Sequence, residues 1–141
     1  MRLVDRGVGI RISRGIGVGN GDAPERLPRH HAGLLAAFQP HLFSRTRDLA
    51  PEFGVALAAA DLVFLTEIYP AREQPIPGVT SELIVRAMQE ARAPLQWRGD
   101  RRQLAGALAA AVRAGDVVFT LGAGDITRTG PELLAMLGRG T

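Results

Sequence analysis

Three short stretches of this chain gather residue types able to hold a small charged ligand. The first, Gln39-Pro40-His41-Leu42-Phe43-Ser44-Arg45-Thr46, runs into a helical pattern. Unpaired N–H groups at a helix start, with the positive end of the helix dipole, favour an anion. Arg45 adds a planar fork suited to gripping a carboxylate through two parallel hydrogen bonds, and His41 and Ser44 could supply further ones. The same spacing fits equally well a plain helix cap at Ser44 or Thr46 beside a solvated Arg45.

The second stretch, Tyr69 to Val79, is stiffened by Pro70, Pro75 and Pro77, so little entropy is lost when a ligand arrives. Tyr69, Arg72 and Glu73 are its candidate cleft-lining residues. On the residues alone, Arg72 beside Glu73 reads slightly better as a solvated pair worth under ~1 kcal/mol. The third stretch is Gly122-Ala123-Gly124-Asp125-Ile126. Glycines behind a buried strand let a ligand or another backbone approach closely. Asp125 could meet an ammonium group or cap a turn.

Other chemistries have no motif. There is no cysteine, hence no disulfide, thiolate metal site or thiol nucleophile. His30-His31 is not a zinc-binding i, i+4 pair and has no carboxylate at ligand spacing, so no metal site is expected. Neither a G-x-S-x-G turn nor a Walker loop occurs, and a chain without lysine cannot supply the Walker lysine. The run GIGVGNG at 15–21 lacks G-x-G-x-x-G spacing, and Pro24 and Pro28 interrupt any helix after it.

A chain of 141 residues that is 46% hydrophobic suits one globular domain. All 17 basic residues are arginine. Residues 1–30 carry six of them against three acidic residues, while the remainder carries eleven of each sign and is neutral. A nucleic-acid binder needs a basic face on its folded part, so no nucleic-acid partner is expected. No run approaches the ~18–20 apolar residues of a membrane span, and no apolar segment follows the N-terminal arginines as in a secretory signal. A cytoplasmic location without membrane contact is the resulting expectation.

The elements that must position the three stretches follow from periodicity. Residues 1–31 read as an irregular Gly/Arg-rich leader, and 32–141 as the folded domain. Leu34–Phe38, Leu62–Leu65, Leu95–Trp97 and Val117–Leu121 are short apolar strands. Between them lie helical stretches: 47–59 with Thr46 as cap and a stripe of Leu49, Phe53, Leu57 and Ala60; one opened by Thr80 with a stripe of Leu83, Ile84, Ala87 and Met88; and one capped by Asp100 to about Ala114. Pro131 starts the last, through Leu137. Strands alternating with helices predict an α/β, Rossmann-like, mostly parallel sheet flanked by helices. Ligands bind outside the carboxyl ends of such strands, which is where all three stretches fall.

Taken together, FQPHLFSRT (38–46), YPAREQPIPGV (69–79) and GAGDI (122–126) resemble, in order and spacing, the carboxy-terminal domain of the Mur ligases. Within that family ADLVFLTEIYPARE (60–73) points to the UDP-N-acetylmuramate–L-alanine ligases of peptidoglycan synthesis. The likeness covers residues 34–137. It implies an ATP- and magnesium-dependent reaction in which an acyl phosphate on the lactyl carboxylate is attacked by the amine of L-alanine. It further implies three domains, the first binding the UDP-sugar, the second carrying the P-loop, and the third bringing the amino acid and closing over ATP.

This chain resembles the third alone. Its implied partners are therefore L-alanine, ATP and the two other domains. ATP and magnesium are not expected to bind strongly to this chain by itself, nor is activity. By motif position, His41, Ser44 and Arg45 would face the amino acid and the nucleotide phosphates, Arg45 taking the alanine carboxylate. Gly122, Gly124 and Asp125 would line the same cleft, and no residue is assigned a catalytic role. The family's strand ending Asp-Asp-Tyr-x-His-His-Pro, with the helix after it, should precede FQPHLFSRT; here Ala32 follows His30-His31. The domain is thus expected to be incomplete at its N-terminal edge, with residues 1–31 a foreign leader on a shortened gene. Apolar surface uncovered in this way would favour marginal stability or self-association. The alternative is a stand-alone, non-catalytic module binding an amino acid or nucleotide.

Overall fold

The computed structural model describes residues 2–3, 10–11 and 33–139. Strands β1 (Arg2–Leu3), β2 (Ile10–Arg11), β3 (Leu34–Phe38), β4 (Leu62–Thr66), β5 (Leu95–Gly99) and β6 (Val117–Leu121) form one sheet in the order β1-β2-β6-β3-β4-β5. The four strands expected from the sequence, β3 to β6, run parallel. The two-residue strands β1 and β2 extend the sheet as an antiparallel pair on β6. The rest of the expected leader, with GIGVGNG and His30-His31, lies outside the described residues.

Register sorts the core into two layers. Ala36 lies opposite Val63, and Phe38 opposite Leu65. These four face α1 (Phe43–Leu57) and α2 (Glu82–Glu90), packing with Ala50, Leu57, Ile84 and Met88. Their alternates Leu35, Ala37, Phe64 and Val118 face α3 (Arg101–Ala111) and α4 (Thr129–Arg139), packing with Leu104, Leu108 and Leu133. Each large side chain fully buried this way contributes roughly 1.5–3 kcal/mol. At the amino edge, Asp116 accepts the Gly33 N–H at 2.9 Å and Asp61 the Leu34 N–H at 2.7 Å, closing the start of β3.

Helix α1 departs from the sequence expectation. It starts at Phe43, and Thr46 does not cap it; the Thr46 hydroxyl donates to the Leu42 carbonyl at 2.9 Å within the first turn. The buried stripe is Thr46, Ala50, Gly54 and Leu57, whereas Leu49 is 39% exposed. Size, rather than hydrophobicity, selects this face. A Cβ on Gly54 would sit 2.5 Å from the Ala87 carbonyl carbon, so α1 meets α2 nearly backbone to backbone. Pro51, which has no N–H to give, interrupts the helix ladder. The other helices follow the expectation more closely. Thr80 accepts the Glu82 N–H at 3.2 Å, and Asp100 caps α3 by accepting the Arg102 N–H at 2.8 Å. Helix α3 ends at Ala111, short of Ala114, and a 3-10 turn (Asp125–Arg128) leads into α4, with Pro131 in its first turn.

Connectivity then fixes where a ligand can sit. The chain steps from β3 to β4 to β5 in one direction, and α3 carries it back past β3 to β6. The segments leaving β3 and β6 therefore diverge, one into α1 on the first face and the other towards α4 on the second. The crevice between them is the switch point where open α/β sheets bind ligands.

Candidate functional site

Gln39, the first residue past β3, occupies that switch point and is only 3% exposed. Its backbone N–H donates to the Leu121 carbonyl at 2.9 Å, carrying the β3–β6 pairing one residue further. Its side-chain Nε2 donates to Asp125 Oδ1 at 2.7 Å, and its Oε1 accepts the Ile126 N–H at 3.2 Å. The glycines of the third stretch wrap directly around it. Gly122 holds φ +152°, and a Cβ there would lie 2.9 Å from the Gln39 carbonyl oxygen. A Cβ on Gly124 would lie 2.5 Å from the Tyr69 ring and 2.7 Å from Gln39 Oε1. Of the two reasons a glycine could stand here, approach of a ligand or of the protein itself, the second is the one visible.

The first and second stretches are tied just as closely. His41 and Tyr69 form a parallel bridge, with the Tyr69 N–H donating to Pro40 O at 2.8 Å and the Leu42 N–H to Tyr69 O at 2.9 Å. Their rings stack with centroids 5.8 Å apart. Leu42 takes the strained φ of 72° to turn the chain into α1. At that helix start Glu73 accepts the Ser44 N–H at 3.0 Å and the Ser44 hydroxyl. The Ser44 hydroxyl, then its N–H, that of Phe43 and the charge of Arg47 hold the Glu73 carboxyl below its ordinary range. Glu73 therefore pairs with α1 rather than with its neighbour Arg72.

Asp125 also has partners within the chain. Besides Gln39, Arg101 Nε lies 3.4 Å from its Oδ2, while Arg101 Nη1 donates to both carboxylate oxygens of Glu132 at 3.1 and 3.0 Å. Arg101 is 12% exposed and belongs to the first turn of α3. Where β4 and β5 end, Ser81 donates to Glu67 at 2.8 Å and accepts from Arg98 at 3.1 Å.

The structure thus brings all the expected site residues to one edge and divides them by role. Ser44, Gly122, Gly124, Asp125, Tyr69 and Glu73 make contacts that join the loops. Arg45 and Arg72 are exposed, with no ion-pair partner among the described residues, and His41 Nδ1 is buried without a hydrogen-bond partner. The two arginines have capacity left for a ligand, whereas the His41 nitrogen is covered by the protein. The sequence reading missed Gln39 and Arg101. Gln39 carries a faint signal as the first polar side chain behind a wholly apolar strand; Arg101 carries none, since an arginine in a helix's first turn reads as surface. No group of three His, Cys, Asp or Glu side chains among the described residues could hold a metal ion.

By its sequence, this parallel-sheet domain falls among the ligases. It belongs to the Mur ligase family, whose glutamate ligase domain matches residues 25–124. Within that family it is similar to enzymes described as UDP-N-acetylmuramate–L-alanine ligases. That of Cutibacterium acnes is 52% identical over 115 residues, which are 82% of this chain and 24% of the relative. That of Streptomyces avermitilis is 49% identical over 108 residues, 77% of this chain and 23% of the relative. A Mycobacterium species (strain JLS) has one 52% identical over 103 residues, 73% and 21% respectively. The chain therefore spans about a quarter of the length of the curated relatives it matches.

Proposed function

We propose that this chain supplies the amino-acid- and nucleotide-facing domain of a cytoplasmic ligase that joins L-alanine to UDP-N-acetylmuramate. The observation that carries the reading is the pair of exposed arginines at this edge, Arg45 and Arg72, which have no ion-pair partner among the described residues. Arg45, in the first turn of α1, receives the alanine carboxylate through its fork. His41, held flat against Tyr69, adds a hydrogen bond from its ring when the ligand parts the loops that cover Nδ1. Arg72, on the proline-stiffened loop, meets a phosphate of the nucleotide.

ATP supplies the phosphoryl group that activates the acceptor carboxylate in such a ligase. The described residues suit contact with its phosphates, through Arg45 and Arg72. Magnesium keeps several waters and needs only one or two carboxylates beside the phosphates, so it would arrive with the nucleotide; no group of three His, Cys, Asp or Glu side chains among the described residues offers it a cage. What these residues do is orient the amino acid. Grafting residues 33–139 onto the Cutibacterium acnes relative in place of its matching segment tests this. The graft is expected to form the alanine adduct, and Arg45→Ala to raise KM for L-alanine at least about tenfold, as loss of a charged hydrogen-bonding partner does. A folded graft with no turnover, or with KM indifferent to Arg45, refutes the reading.

A further inference from the structure

We propose that Gln39 is a positioning residue for this site, fastening the glycine loop behind β6 to the end of β3 and holding Asp125 towards Arg101. As a statement about ligand binding it rests on the function proposed above; as a statement about the loop it stands by itself. A primary amide buried to this degree is costly unless both its ends are bonded. Here Nε2 meets a carboxylate and Oε1 meets a backbone N–H. Rotating the amide by half a turn would set oxygen against the Asp125 carboxylate and hydrogen against the Ile126 N–H. One orientation therefore satisfies the site and the other opposes it twice.

The loop has also given up its side chains to get this close, since a Cβ at Gly124 would lie 2.7 Å from Gln39 Oε1. A leucine in place of Gln39 would fill the same space and leave the Ile126 N–H and one Asp125 oxygen without their partner. Asp125 in turn stands 3.4 Å from Arg101 Nε, whose guanidinium bridges to Glu132 on α4. Gln39 touches no ligand itself in this account. It acts through Asp125 and Ile126, setting the loop that faces His41 and Tyr69 across the crevice.

The test uses the full chain, following amide exchange at Ile126 by NMR with an L-alanine titration alongside. Gln39→Leu is expected to speed exchange at Ile126 at least about tenfold, the effect of losing one buried hydrogen bond, while leaving Leu65 unchanged. Gln39→Glu places two carboxylates together, so protection of the Ile126 amide, taken against the intrinsic exchange rate at each pH, should return only on acidification, when the pair shares a proton. Combining Gln39→Glu with Asp125→Asn swaps donor and acceptor, and should restore slow exchange at neutral pH. A merely space-filling Gln39 predicts neither the pH profile nor the rescue. Should Gln39→Leu fail to fold, the Glu variant and the double variant decide between the two accounts. Unchanged exchange in Gln39→Leu, or a double variant no better than Gln39→Glu, overturns the proposal. Saturation of the wild-type chain by L-alanine well below a millimolar would count against the ligase reading, in favour of a stand-alone binding module, and leave the exchange result intact.

Discussion

The first turn of α1 invites an anion, and the chain itself provides one. Glu73 fills that place, and the pairing gives it a pH signature. The Ser44 hydroxyl, foremost among several donors, lowers the Glu73 pKa below the ordinary value of 4.5. A carboxylate with a depressed folded pKa adds stability that is complete above its unfolded value and lost as pH falls through the folded one. The melting temperature should therefore exceed that of Glu73→Gln by a constant margin from about pH 7 to about pH 5, and the margin should shrink below about 4.5. Thermal melts of both proteins across that range check this; a margin unchanged down to about pH 2 would sink it. Residue types pointed to Arg45 as a side chain able to grip an anion, and the structure leaves it and Arg72 exposed without an ion-pair partner among the described residues. They could not show that Glu73 reaches across to Ser44, because that bond spans two loops and depends on where the sheet places them.

Among the helices, two glycines of the same chemistry should respond oppositely to one substitution. An alanine in a helix interior is favoured over glycine by roughly 0.8–1 kcal/mol. Gly106 of α3 has nothing within 4 Å of a built Cβ, so Gly106→Ala should stabilise by about that amount. Gly54 of α1 would set its Cβ 2.5 Å from both the carbonyl carbon and oxygen of Ala87. Backbone cannot move aside as a flexible side chain can, and overpacking typically costs about 1–3 kcal/mol. Gly54→Ala should then destabilise despite its better propensity, by up to about 2 kcal/mol net. Urea unfolding of the two variants decides the matter, and equal signs would refute the close α1–α2 contact. This contact also explains what was legible at this scale. The apolar runs at 34–38, 62–65 and 117–121 marked strands because a strand covered on both faces must be apolar throughout. On α1 the expected stripe holds at Phe53, Leu57 and Ala60, which pack on the core, and fails at Leu49, because close packing on α2 demands the small Ala50 and Gly54.

For the molecule as a whole, the decisive feature is that the candidate site lies on an open edge. Ligand pockets usually enclose 70–90% or more of a small ligand (about that range) and combine apolar walls with a few polar groups. Here Arg45 and Arg72 stand exposed beyond the strand ends, without an ion-pair partner among the described residues. An exposed ion pair contributes about 0–1 kcal/mol, whereas a Kd of about 1 mM requires roughly 4 kcal/mol. Even with a hydrogen bond from His41, worth about 0.5–1.5 kcal/mol, the sum falls short. The free chain should therefore bind L-alanine more weakly than about 1 mM, and the relatives' greater length is where the missing enclosure would come from. Isothermal titration of the full chain separates the two readings of the site. Saturable binding well below a millimolar would mean that this edge is a complete pocket and the chain a stand-alone binding module. Weak, unsaturated heats, followed by tight binding once residues 33–139 are grafted beside the other domains, would place the binding energy in the closure between domains, with Arg45 and its braced loops as one half of the site.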